Sequence, residues 1–132
     1  MTSELDPTLT DRFKACLIKP ADFGHHDHLQ VAFELLDRHD FMEVCTINGS
    51  AIDRMARSVG APEKYNATIT IAFLSVIAER RQRSVRGDFG AFLAATQDLL
   101  DPHALLAWSS PERLTSAAAR VQFLMPDKAG FA

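Results

Sequence analysis

The chain has 132 residues, 47% of them hydrophobic, which is enough for one buried core and too few for two domains of ordinary size. Its formal net charge of −3 at pH 7 excludes the dominant basic surface that general binding to nucleic acid or an anionic membrane requires. No stretch approaches the roughly 18 apolar residues of a spanning helix, and the N-terminus lacks a basic segment followed by an apolar run, so a cytoplasmic protein is expected.

Apolar spacings of three and four residues recur from end to end while strand alternation is scarce. This predicts an all-α fold, a single compact bundle of about five to seven helices. The first helix is expected from Pro7 or Thr10 to Leu17, stopping before Pro20. The run Phe23-Gly24-His25-His26-Asp27-His28-Leu29 then opens a helix from His25 to Arg38. A rotation of about 100° per residue puts His25 and His28 beside Leu29, Ala32, Phe33 and Leu36, with His26 at the margin and Asp27 facing away. Phe41 to Val59 follows as one imperfect helix closed by Gly60 and Pro62; Asn48-Gly49, a common turn former, interrupts its pattern and would place Asn48 on the buried face.

The stretch from Tyr65 to Gln82 is apolar nearly all round, as in a central helix packed on several sides. Shorter helices are expected at Asp88–Thr96, Pro102–Trp108 and Pro111–Phe123, where Asp88, Asp101-Pro102 and Ser110-Pro111 offer start signals, with a loose tail from Pro126. Cys16 and Cys45 have no short paired spacing and read as apolar core thiols, too shielded to be good nucleophiles.

Chemistry-bearing residues fall in three groups. His25 and His28, three apart on a helix, could each aim a ring nitrogen at one divalent transition metal. A third ligand would have to come from elsewhere, with Asp27, Glu34, His39, Glu79 and His103 nominally available. Tyr65, Asn66, Thr68 and Thr70 put polar groups into the greasy central helix, where a pocket is one way to satisfy them and back-bonding or capping is another. Arg80, Arg81, Arg83 and Arg86 read as a solvated helix end whose cations complement its dipole. Arg120 follows the small run Ala117-Ala118-Ala119 and is a candidate for a pocket or a buried ion pair; Trp108 reads as a core or interface aromatic. Phosphate loops, paired-cysteine metal motifs, serine elbows and zinc-protease motifs are absent.

At these residues the chain resembles a family of small uncharacterised bacterial all-helical proteins with the pattern F-x-H-x-x-H-L, then Y-H-x-T-x-T, then A-R before P-D. The matching residues are Phe23, His25, His28 and Leu29; Tyr65, Thr68 and Thr70; then Ala119, Arg120, Pro126 and Asp127. The resemblance implies a shared polar pocket, and in the family reading the two helix histidines and a third would form a three-histidine site. This chain carries Asn66 at that third position, a much poorer ligand for zinc or iron, so a carboxylate or water would have to complete a metal site, or the pocket has another use.

Two functional expectations follow. In one, the histidine helix packs beside the central helix around a pocket lined by His25, His28, Tyr65, Asn66, Thr68 and Thr70, with Arg120 as a further ligand-binding candidate, and the pocket takes a metal ion or small molecule. In its enzymatic form His25 or His28 is the general base, and Tyr65 and Asn66 orient or polarise the substrate. In the other, the protein is a noncatalytic interaction or homo-oligomerisation module in which these residues fix helix register and faces near Trp108 or Phe131 make the contacts.

Overall fold

The computed structural model describes residues 8–84 and 87–128. Seven α-helices lie among them, with no strand: α1 (Leu9–Lys14), α2 (His25–Arg38), α3 (Phe41–Ser58), α4 (Ala67–Arg81), α5 (Phe89–Ala95), α6 (Pro111–Leu114) and α7 (Ala117–Val121). Short 3₁₀ turns at Pro20–Asp22, Pro62–Lys64, Gln97–Leu100 and Ala104–Ala107 join them. The all-α bundle expected from the spacing is what the chain forms.

Local chemistry explains the boundaries. Asp40 and Glu43 make a reciprocal capping box at the start of α3, each carboxylate accepting the other's backbone N–H at 2.9 and 3.1 Å. Asp27 accepts the Gly24 N–H at 2.9 Å in front of α2. The Asp88, Ser110 and Ser116 side chains cap α5, α6 and α7. Helix α3 ends with Gly60 in the left-handed region (φ 70°), its N–H bonded to the Arg57 carbonyl and that of Ala61 to Ala56. Helix α1 closes the same way at Cys16 (φ 58°), so it stops at Lys14 rather than Leu17.

Three expected elements differ. The Pro102–Trp108 segment is a 3₁₀ turn over Ala104–Ala107, because Asp101 spends its carboxylate on the His103 N–H at 2.8 Å in a turn rather than on a helix start. Pro111–Phe123 is divided at Thr115-Ser116, where the Ser116 hydroxyl begins α7. The segment from Pro126 is tied down as far as Lys128: Asp127 accepts from both the N–H and the hydroxyl of Ser110 at 2.8 Å, and the Lys128 N–H reaches the Trp108 carbonyl. Pro7, Arg86 and Phe131 lie outside the described residues.

The core is built on Phe13, Leu29, Phe33, Leu35, Leu74, Ile77, Phe92 and Leu99, all nearly or wholly shielded from solvent. Helix α4 packs against α2 and α3 on one side and against α7 and the Ala104–Ala107 turn on the other, which accounts for its apolar circumference. Its end is less solvated than expected: Arg81 is largely buried, pairs with Asp37 of α2 and lies 6.0 Å above the Phe33 ring centroid. Arg80 is partly covered and pairs with Asp98.

Candidate functional site

Helix α4 presents a different set of side chains to each of its packed sides. Ile69, Thr70, Phe73, Leu74 and Ile77, preceded by the cap residue Asn66, face α2 and α3. Thr68, Ala72, Ser75, Val76 and Glu79 face the other way. Both rows follow spacings of three and four residues, so each is one stripe of the same helix.

On the first side lies a pocket of about 270 Å³. Leu29 and Ala32 of α2, Ile52 of α3, and Ile69, Phe73, Leu74 and Ile77 of α4 make it apolar, and His25, His28, Asn48, Asn66 and Thr70 add polar groups. Lys64 and Pro102, both exposed, mark its mouth. No aspartate or glutamate lines it among the described residues, and Lys64 is its one formally charged side chain there.

Each polar group has a distinct state. The His25 Nε2 stands 2.7 Å from the Leu99 carbonyl oxygen, which can only accept, so this nitrogen is the donor. Its ring meets Phe73 edge-on at 5.2 Å. The His28 ring lies edge-on to Phe23 at 4.4 Å. Burial, reinforced by His25 and only partly offset by Asp27, pulls the His28 pKa from 6.5 down to about 4, so this imidazole is neutral at pH 7. Asn66 is committed to structure: its Oδ1 accepts from the Ile69 N–H at 2.9 Å and its Nδ2 donates to the Leu114 carbonyl at 2.7 Å.

Asn48 is the polar residue that reasoning from sequence did not include in the site, although the buried face of an unbroken α3 was the signal that could have found it. It is 6% exposed and bonds to no described residue through its side chain. Arg81 Nε is the single fully enclosed side-chain nitrogen or oxygen without a partner among the described residues. The Asn48 amide is therefore not sealed in protein, and its remaining exposure is to the pocket.

The structure thus brings His25, His28, Asn66 and Thr70 together, and places Tyr65, Thr68 and Arg120 elsewhere. Asn66 is the cap of α4, so Tyr65 precedes the helix and escapes its periodicity; the ring turns towards α3. It shares an open surface groove with Cys45, Asp53, Arg57 and Arg120, whose side chain is exposed rather than drawn into a buried ion pair with any described residue. Burial, Asp53 and Cys45 all raise the Tyr65 pKa, and burial alone raises that of Cys45. Thr68 is 2% exposed, with its hydroxyl donating to the Gln122 carbonyl at 2.6 Å and accepting from the Leu124 N–H at 3.0 Å. It stands at the edge of a separate groove of about 410 Å³ walled by Leu105, Trp108, Leu114 and Phe123.

Among the described residues no three His, Cys, Asp or Glu side chains are gathered to hold an ion. His25 and His28 have no third His, Cys, Asp or Glu gathered with them among the described residues, and Asp27, the nearest carboxylate in sequence, is turned to the helix start. No described helix is long and apolar enough to cross a membrane. The chain matches no protein-family model, no curated protein and no solved structure.

Proposed function

We propose that this protein binds a small organic molecule in the pocket between α2, α3 and α4. The observation that carries this reading is an apolar space bordered by polar side chains, one of which, the Asn48 amide, is buried and bonds to no described residue. A buried amide left unpaired is costly, so water or a ligand must complete its bonding. By comparison with a 150 Å³ cavity that accepts benzene, the volume suits a molecule of roughly ten non-hydrogen atoms. Neutral His28 can donate or accept a hydrogen bond.

The test is titration of the folded protein with toluene, benzamide, benzoate and benzylamine, followed by backbone and Asn side-chain NMR. Binding of at least one probe should shift resonances of Leu29, Asn48 and Ile69 together, and Ala32→Leu, which fills the pocket from α2, should abolish the response. Absence of any localised response defeats the reading. The interaction-module alternative has its own support in Val121, Phe123 and Met125, which are 80%, 39% and 57% exposed along one short segment. Sedimentation across a concentration series, repeated with Phe123→Ser, tests it: concentration-dependent association that the substitution removes favours that reading.

A further inference from the structure

Resting on the pocket reading above, we propose that the ligand is uncharged and carries an adjacent donor and acceptor, as an amide does, and that the Asn48 carboxamide is the residue that reads this pair. The inference comes from what the pocket can and cannot satisfy. A cationic ligand would find no aspartate or glutamate among its described lining residues. An anionic ligand would find a formal positive charge only on Lys64, at the exposed mouth, and would lose its hydration on entering the apolar interior beside Phe73 and Leu74.

A wholly apolar ligand fails for the opposite reason. It would displace the water that Asn48, which has no partner among the described residues, must otherwise hold and return nothing to that amide, so the gain from apolar contact is offset by an unsatisfied donor and acceptor. An amide edge offers N–H and C=O side by side, complementary to the Nδ2 and Oδ1 of Asn48, and makes two hydrogen bonds in one plane. Asn66 cannot take this role, because both ends of its carboxamide are already engaged by Ile69 and Leu114. His28, held neutral by its burial, adds a further uncharged partner on the facing helix.

The experiment compares affinities of benzamide, benzoate, benzylamine and toluene, which share one ring and differ in the polar group. Benzamide should bind about tenfold more tightly than each of the other three, the equivalent of one to two net hydrogen bonds. Its addition should shift the Asn48 side-chain NH₂ resonances. Asn48→Leu, which removes the amide that toluene leaves unsatisfied, should tighten toluene binding and remove the benzamide preference. Benzoate or benzylamine binding as tightly as benzamide would overturn the inference while leaving the pocket reading intact, as would a benzamide preference that survives Asn48→Leu. Binding of none of the four would overturn both. The ranking on the unmodified protein decides the matter even if the variant folds poorly.

Discussion

A Cβ at Gly49 would sit 3.0 Å from the Tyr65 hydroxyl oxygen and 3.9 Å from the ring carbon that bears it. That contact explains why a residue unfavourable in a helix interior lies near the middle of α3, and why Asn48-Gly49 does not mark a turn. Gly49 lets the tyrosine hydroxyl approach α3 closely, and Asn48, one position earlier, lines the pocket instead. The two residues are thus explained by different neighbours on different sides of one helix. A double-mutant cycle tests this. Gly49→Ala alone should destabilise, because the gain in helix propensity of about 1 kcal/mol is outweighed by the crowded hydroxyl. In a Tyr65→Phe background, where the nearest remaining atom is at ordinary contact distance, the same substitution should stabilise by about 1 kcal/mol. Equal effects in the two backgrounds, measured by urea unfolding, would exclude the hydroxyl as the cause.

At the scale of elements, α4 is held at its first turn by two polar residues that tie it to the C-terminal segments. Asn66 caps it and reaches Leu114, and Thr68 bridges Gln122 and Leu124. Thr68→Val keeps the side-chain shape and removes the hydroxyl, leaving a carbonyl and an N–H unpaired in a partly buried setting. Stability should fall by about 1–3 kcal/mol, and amide exchange at Leu124 should accelerate more than at Leu74 in the core. Uniform acceleration at the two positions would mean that Thr68 supports the whole fold rather than this junction. The same residues show where reading the sequence succeeded and stopped. His25–Arg38 was legible to the residue because Gly24, Asp27 and the apolar stripe agree, and with them His25 and His28 on the pocket side. The central helix was legible as a helix, but its first residue was not. Taking it to begin at Tyr65 rather than after Asn66 put Tyr65 and Thr68 into one pocket with Asn66 and Thr70, although Tyr65 faces α3 and Thr68 faces Gln122 and Leu124. An asparagine cap and an interior asparagine look alike until a partner for the side chain is known, and Leu114 lies 48 positions away. The break at Ser116 escaped for the same reason, since a serine before three alanines fits a continuous helix as well as a new one.

For the molecule as a whole, α4 is a shared wall: α2 and α3 close the pocket on one side, and the Ala104–Ala107 turn and α7 cover the other. The first side also makes folding sensitive to acid through His28, whose imidazole must stay neutral where it is packed against Phe23. In the unfolded chain this group takes a proton near its ordinary pKa of 6.5, whereas in the folded protein it does so only at about 4. Between those values the unfolded state binds more protons, so stability rises with pH. The contribution is therefore complete above pH 6.5 and is lost as pH falls through the window to 4, where it levels off. Its size is about 3 kcal/mol, a substantial part of the stability expected for a domain of this length. The lowered carboxylates Asp11, Asp98 and Asp127 act in a separate window, because their contributions are present above 3.8 and lost only below it. Urea unfolding of the native protein and of His28→Gln from pH 7.5 to about 3 separates these contributions. The native protein should lose about 3 kcal/mol more than the variant over that range, and the two curves should run parallel below pH 4. Identical slopes throughout would show that His28 is hydrated and titrates as freely in the folded state as in the unfolded one.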